Sequence, residues 1–336
     1  MSGHELRERA FELVRRYGRD TVSFQGLESG YRYFFDGDDA VIAFVDTGGA
    51  WVAAGSPIAP AARVGEVAGR FHEAALAQRR RACFFAAEQP LADSGLPALL
   101  VGEQPVWRAS GWDEVLRGHS SLRYQLRRAR NKGVTVRRVH AQDLAPGTSL
   151  GTALGELGKR WQETHRMPPM RFLVQLEPLA FAGERWLYVA ERDGALVGLA
   201  SAVPVYARAR IFIEDLVRSP SAPNGTPELL VDAMMRATAR EVTLGLAPLA
   251  GGVARWLRFA RWAGGPFYDF EGLRQFKAKL RPHEWEPVYL CAPHGASKLA
   301  ALRDSLRAFA GGSLVDFATR SLFGQRASAS SSPRMR

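Results

Sequence analysis

Along most of this chain apolar and polar positions alternate with a period of two, and the stretches between run at a helical period. The clearest alternation is IFIEDLVR. Ile211, Ile213, Asp215 and Val217 take one phase, and Phe212, Glu214, Leu216 and Arg218 the other, which predicts a strand. Ser219-Pro220 ends it, and Pro223 holds the next stretch as a loop, because proline cannot donate to a sheet ladder. Asn224-Gly225-Thr226 then opens a helix, with Thr226 expected as its N-cap, Pro227 in the first turn, and Glu228 and Asp232 toward the positive end of its dipole. Strand, polar loop and helix N-terminus together offer backbone N–H groups to an anion.

The same patterns organise the rest. An amphipathic charged helix, MSGHELRERAFELVRRYG, precedes three strands, GYRYFFDGD, AVIAFVDTG and AWVAAGSPI, divided by Asp-Gly and Gly-Gly turns. Residues 61–80 read as a helix with Val64, Val67, Phe71, Ala75 and Leu76 on one face. RACFFAAE and PVWRAS are strands, Gly118 to Lys132 is a basic helix ended by Gly133, and VTVRRV is a strand. A second unit starts near Pro146-Gly147. It has a helix from Leu150 to Thr164, a meander of RWLYVAERDG, ALVGLASAVPVY and RARIFIEDLVRS, the helix after Thr226, and the strand VTLGLAP. VARWLRFARWAG, a two-tryptophan helix, then FYDFEGLRQFKAKLRP, the strand EPVYLCAP and an amphipathic tail complete it. Each half thus has helices, a meander, a helix and further strands. The expected units are 1–145, 146–295, a helical tail over 296–323, and a low-complexity end over 324–336.

Composition narrows the class. A chain of 336 residues with 46% hydrophobic and 24% charged residues suits two packed domains. No apolar run is long enough to cross a bilayer, and the first helix lacks a signal-peptide core, so the expected location is cytoplasmic, or peripheral at the inner face of a membrane. Cys83 and Cys291 lie in apolar strand-like runs and read as buried reduced thiols. A net charge of +11 calls for a negative partner: nucleic acid, anionic lipid or a phosphorylated cofactor.

The second half resembles the GNAT acyltransferase fold, in which the strand–loop–helix unit grips the pyrophosphate of coenzyme A. SPSAPNGT stands where that fold carries a glycine-rich loop, and its prolines remove donors. Four motifs go further: SLRYQLRRARNKG, EDLVRSPSAPNGT, LGLAPLAG and FYDFEGLRQFKAKLRPHEWEPVYL. With FFDGDDAVIAFV and AAGSPIAP, they resemble the C-terminal domain of the phosphatidylglycerol lysyl- and alanyltransferases, the multiple peptide resistance factors. The resemblance spans about Phe24 to Pro293. It implies an α/β (α+β) fold of two tandem GNAT-like domains with mixed, largely antiparallel sheets. The activity it implies is aminoacyl transfer from a charged tRNA to a phosphatidylglycerol-type hydroxyl or a related acceptor, with no cofactor and no metal.

The candidate residues follow. Asp215 and Arg218 stand at a strand end, as a structural ion pair or as part of a site. Arg123, Arg127 and Arg130 share one face of a helix, either solvated or set against the phosphates of tRNA or lipid. The resemblance puts Glu271, Lys277 and the Asp215/Arg218 pair at the transfer site, with Arg274 and Lys279 beside them, a carboxylate holding the aminoacyl ammonium, and Asn224 and the N–H groups near Gly225 steadying an oxyanion. The seven histidines show no metal-ligand spacing, and there is no nucleophile elbow or P-loop. Two other readings compete: an acyl-CoA-dependent N-acyltransferase, and a non-catalytic module for RNA or anionic membrane. In the tail, Leu299, Leu302, Leu306 and Phe309 share one side, which either lies in an anionic interface or caps the core.

Overall fold

The computed structural model describes residues 2–145, 147–163, 172–173, 177, 180–254 and 270–311. Helix α1 (Gly3–Tyr17) opens on a capping box between Ser2 and Glu5. Strands β1 (Arg32–Phe35), β2 (Val41–Asp46) and β3 (Ala50–Ala54) form the first meander, and α2 (Val64–Ala77) crosses over to β4 (Arg81–Ala87). A short α3 (Gln89–Ala92) leads to β5 (Ala98–Arg108), which absorbs PVWRAS into a strand of 11 residues. The expected basic helix is α5 (Ser120–Asn131), preceded by a further helix, α4 (Trp112–Gly118), with His119 in an extended backbone between them. Strand β6 (Thr135–Val139), α6 (Ser149–Glu163), β7 (Trp186–Arg192), β8 (Ala195–Val205) and β9 (Arg210–Arg218) follow. Then come α7 (Thr226–Arg236), β10 (Glu241–Thr243), β11 (Ala247–Pro248), α8 (Phe270–Lys279), β12 (Glu284–Cys291) and α9 (Lys298–Phe309). Most of VARWLRFARWAG, the tail beyond Gly311 and the low-complexity end lie outside the described residues.

The class is mixed α/β with largely antiparallel pairing, as expected. The described strands form one continuous sheet, however, in the order β1-β2-β3-β4-β12-β5-β10-β9-β8-β7-β6, with β11 on β5. The last strand of the chain, β12, lies between β4 and β5 and pairs antiparallel with both. The long central strand β5 faces β12 on one side and β10 on the other. Among the described strands only β3–β4 and β9–β10 are parallel, each joined by a crossover helix, α2 or α7.

Helices cover both faces. Ala200 and Ala202 of β8 and Ile211 and Ile213 of β9 pack with α4, α5 and α7, while Leu199 and Val217 pack beneath α6. In the first half α2 covers Trp51, Ala53 and Phe84, and α9 covers Val52, Cys83 and Phe85. Cys83 and Cys291 are buried free thiols, and burial raises both to about 12, which makes them inert.

Candidate active site

The parallel pair β9–β10 is short. Glu241–Thr243 face Arg210–Phe212, and then the strands part as the chain swings away to pair with β5 as β11. The expected single strand VTLGLAP is therefore broken. Gly245 makes the turn at φ +67, where an added Cβ would lie 2.7 Å from the Phe212 ring, so only glycine fits. The parting leaves backbone carbonyls without strand partners. Lys277 Nζ donates to them: 2.8 Å to Leu244 O, 2.9 Å to Gly245 O and 2.8 Å to Leu246 O. Burial lowers the Lys277 pKa to about 7, while three carbonyl acceptors favour the ammonium. Lys277, expected to bind substrate, instead staples one wall of the crevice between the parted strands.

The other wall is acidic. Ser201 of β8 faces Asp215, but Ala202 faces Ile213, so Glu214 is an extra residue in β9. Such a bulge re-aims neighbouring side chains, and here both consecutive carboxylates interact with Arg185. Arg185 is fully buried. It donates to Glu214, to Ser201 Oγ at 3.2 Å, to Glu28 Oε1 at 3.3 Å and to Ala180 O at 2.7 Å, and its guanidinium stands 5.4 Å from the Phe24 ring centre. Three carboxylates thus surround one guanidinium. One oxygen of each, Glu28 Oε2, Glu214 Oε1 and Asp215 Oδ2, is buried without a hydrogen-bond partner. Burial first, then the Glu214 charge, pushes Glu28 up to about 10 and Asp215 well above the carboxylate range, against the pull of Arg185. Unpaired buried acceptors of this kind are costly and mark a place built for a donor.

Of the two alternatives for Asp215 and Arg218, the structural ion pair is not formed. Asp215 shares its face of the sheet with Ser201 and Val217, whereas Arg218 lies two positions beyond Leu216, which packs toward α5 and α7. Arg218 is exposed, with no carboxylate at ion-pair distance among the described residues. The residues of α8 also divide. Glu271 is exposed in the first turn and accepts from Gln275 at 3.4 Å. The Arg274 guanidinium sits 5.3 Å over the Trp285 ring. Lys279 pairs with the buried Glu228 at 2.6 Å, which ties α8 to the start of α7.

On the α4–α5–α7 face, opposite the acidic cluster, a pocket of about 480 Å³ is lined by Arg117, Arg123, Arg127, Arg130 and Arg236, with Asp113 at its edge. The three arginines of the predicted helical face do converge there. Their duties differ. Arg123 donates to the carbonyls of Leu116 and Arg117, capping α4. Arg130 reaches the buried Asp232 at 2.7 Å, and Arg236 pairs with Asp232 and Asp113, both at 3.0 Å. Arg117 and Arg127 have no such partner among the described residues, and so offer their charge to the pocket.

Four amides of the loop after β9 are used internally: Ser219 N donates to Val197 O, Ser221 N to Ser219 Oγ, Ala222 N to Ser219 O and Thr226 N to Pro223 O. The N-cap of α7 is Gly225, not Thr226, whose hydroxyl turns back to Pro223 O at 2.7 Å. Gly225 has φ +95, and a Cβ there would fall 2.2 Å from Gln125 O, so this glycine lets α7 approach α5. Asn224 beside it is exposed.

A family model described as phosphatidylglycerol lysyltransferase, C-terminal, matches residues 11–292. This chain belongs to that family. A lysylphosphatidylglycerol biosynthesis bifunctional protein from Mycobacterium avium is 29% identical over 219 residues, covering 59% of this chain and 18% of its own. The phosphatidylglycerol lysyltransferase of Bacillus subtilis is 31% identical over 115 residues, 31% of this chain and 13% of its own. This chain therefore spans under a fifth of the length of these curated relatives. A solved C-terminal domain from Agrobacterium fabrum, described as belonging to a lysylphosphatidylglycerol synthetase, is 27% identical, with a TM-score of 0.78, and covers 93% of this chain and 99% of its own. The L-PGS structure from Bacillus licheniformis, at 20% identity and TM-score 0.75, covers 90% and 95%, and shares the fold.

Within this phosphatidylglycerol lysyltransferase-family domain, sequence reasoning missed Glu28, Arg185, Ser201 and Glu214 in the crevice, and Arg117 and Arg236 in the pocket. Glu214 was within reach, as the acid next to Asp215 in a strand of otherwise apolar register. Nothing local marks Arg185 or Glu28, which meet Glu214 only through the fold.

Proposed function

We propose that this domain transfers an aminoacyl group from the ester of a charged tRNA to the hydroxyl of a phosphatidylglycerol-type lipid. The observation that carries this reading is the buried cluster of Glu28, Glu214 and Asp215, each with one unpartnered carboxylate oxygen, in the wall of the crevice. An aminoacyl ester carries an ammonium one carbon from its carbonyl, and such a cluster matches an ammonium in charge and in donors. The relatives named above, a phosphatidylglycerol lysyltransferase among them, supply the reaction class.

The ester is already activated, so the chemistry is alignment and proton relay. The lipid hydroxyl oxygen attacks the ester carbonyl carbon while its proton passes to a carboxylate, for which Asp215 Oδ2 is the candidate. The tetrahedral oxyanion collapses, the C–O bond to the terminal ribose breaks, and the proton goes to the departing ribose hydroxyl. The carboxylate is restored, and no covalent enzyme intermediate forms. Burial and the Glu214 charge raise Asp215 and Glu28 in the empty site; an entering ammonium pulls both back down, which favours the Asp215 carboxylate as base. Arg218 and the arginine pocket, on the opposite face, receive tRNA phosphates. This reading uses no cofactor beyond the tRNA.

The direct experiment incubates the protein with a panel of charged tRNAs and phosphatidylglycerol and reads the lipid by mass spectrometry. An aminoacylated lipid is expected. No product with any tRNA, together with a rise in melting temperature on adding acetyl-CoA, would replace this reading with the acyl-CoA one. The loop argues against that outcome, because four of its amides are already engaged and two of its residues are prolines without an N–H.

A further inference from the structure

Helix α9 docks on the protein through an unexpected side. Its buried residues are Ala301, Asp304, Ser305 and Ala308, three of them small and one a carboxylate held by Arg81 at 2.7 Å. The predicted apolar side divides: Leu302 and Phe309 pack against the core, while Leu299 is 64% exposed and Leu306 49%. Leu299 and Leu306, at i and i+7, make an exposed stripe along the outer surface, with Leu302 half-buried between them. Arg303 and Arg307 fall beside that stripe, one turn apart. Arg307 has no ion pair among the described residues, and Arg303 has only its neighbour Asp304, at 3.7 Å. A helix seated by its small face, with an outer strip of leucine and arginine, leaves the wrong residues in water for a helix that only caps a core.

We propose that this outer face of α9 lies on an anionic bilayer surface and holds the crevice against it. Three observations converge on a lipid surface. The leucine stripe supplies apolar area to enter the interface, and the arginines beside it match acidic headgroups. From Ser297 onward the chain carries seven basic and two acidic residues, so its field favours the same partner. The helix is also joined toward the crevice by packed rings, edge to face and tilted. Phe309 lies 5.2 Å from Phe172, Phe172 lies 5.9 Å from Tyr31, and Tyr31 stands three residues along the chain from Glu28, where burial raises its pKa well above the phenol value. A bilayer met by α9 is therefore met beside the acidic wall. This inference rests on the proposed lipid acceptor for its purpose but not for its test.

The test is flotation of the full chain with vesicles of phosphatidylcholine alone and of equal parts phosphatidylcholine and phosphatidylglycerol. Wild type is expected to float with the mixed vesicles at low salt and to remain at the bottom with phosphatidylcholine. The double variant Leu299→Glu/Leu306→Glu should lose at least ~10-fold in partitioning. Arg303→Gln and Arg307→Gln should each lose about fivefold. Leu76→Glu, a change at a leucine 54% exposed on α2, is the control and should float as wild type. Melting curves establish that each variant is folded. Two results would overturn the proposal: wild type that never floats, or a folded leucine double variant that floats as well as wild type, which would move the contact elsewhere, for example to the arginine pocket. Flotation needs no tRNA, so a protein that floats without transferring an aminoacyl group would sink the reaction proposed above and leave this surface standing.

Discussion

The molecule contains the same strand–helix–strand unit twice, and the two copies treat their crevice in opposite ways. In β3–α2–β4 the parallel strands stay paired from Ala50–Arg81 through Ala54–Phe85. At their ends the Asp20 carboxylate accepts from Ser56 N at 2.7 Å and Glu88 N at 3.3 Å, and Gly55 has no room for a Cβ beside Val22 and Asp20. The protein's own carboxylate fills that opening. In β9–α7–β10 the pairing stops after three residues, the bulge at Glu214 turns acid inward, and Lys277 satisfies the carbonyls left behind. One opening is plugged from within. The other is held apart and left with unpartnered acceptors. The difference lies less in the strands than in what occupies the space between their ends.

The largest way to break the comparison is to remove the cation from the open copy. Arg185→Met leaves Glu28, Glu214 and Asp215 facing one another without a positive partner in a buried place. A loss of about 3–5 kcal/mol of stability is expected near neutral pH. Denaturant unfolding checks it, and recovery at lower pH, as the carboxylates protonate, identifies charge repulsion as the cause. A variant as stable as wild type at neutral pH would mean that the cluster is not electrostatically organised around Arg185.

Next in size is Asp215→Asn, which keeps the shape and mimics the protonated acid. Transfer should fall about a hundredfold in kcat/KM through lost ammonium alignment and lost proton relay. The melting temperature should hold or rise, because one term of the Glu214–Asp215 repulsion is gone. Activity retained within a few fold would remove Asp215 from the site.

Much of this architecture was legible in the sequence, and the reasons for the rest are local. Alternation and turn residues located the strands from Arg32 to Ala54 and from Trp186 to Arg218, because each has one face in a core. The single sheet was not legible: β12 enters between β4 and β5 from more than 170 residues away, and no pattern inside EPVYLCAP names its neighbours. Arg123, Arg127 and Arg130 were found because helical spacing puts them on one face, and that face does line a pocket. Asp215 was found, but its partner was assigned to Arg218, because alternation without a bulge hides which acids turn inward. Lys277 and Lys279 read as substrate ligands, since a sequence shows a lysine's charge but not the carbonyls or the carboxylate that use it.

The plugged copy has its own test. Burial, with the neighbouring Glu88 charge, raises Asp20 to about 7 from an ordinary 3.8. Its folded pKa lies above the unfolded one, so its contribution to stability is complete below about pH 4 and is lost as pH rises toward about 7. The slope should approach ~1.4 kcal/mol per pH unit inside that window. Asp20→Asn should flatten this segment of the stability–pH curve and equal or exceed wild type above pH ~7. The same substitution should leave aminoacyl transfer within about twofold, since the plugged crevice takes no part in the proposed reaction. A curve unchanged by Asp20→Asn would mean that another group titrates there.

The smallest expected effect separates the arginines of the two copies. Arg63, just before α2, pairs with Asp36 at 2.7 Å and with Asp39 and Glu66, and Arg70 on α2 pairs with Asp36 at 2.7 Å and with Glu66. Those guanidiniums are spent within the fold. Around α4 and α5, Arg123 caps a helix and Arg130 and Arg236 serve Asp232. That leaves Arg117 and Arg127 as the charges in the pocket free to meet a phosphate. Arg127→Ala and Arg117→Ala should each weaken tRNA binding modestly and reduce the slope of log K against log salt by about 0.7–0.9. Melting temperatures should barely move, since neither side chain supports another residue. Arg130→Ala should instead lower the melting temperature, because it strips a partner from the buried Asp232. Arg70→Ala, on the paired helix, should change neither the affinity nor the slope. If all four variants showed the wild-type slope, the pocket would be a solvated basic surface, and the tRNA would have to be held from the crevice side alone.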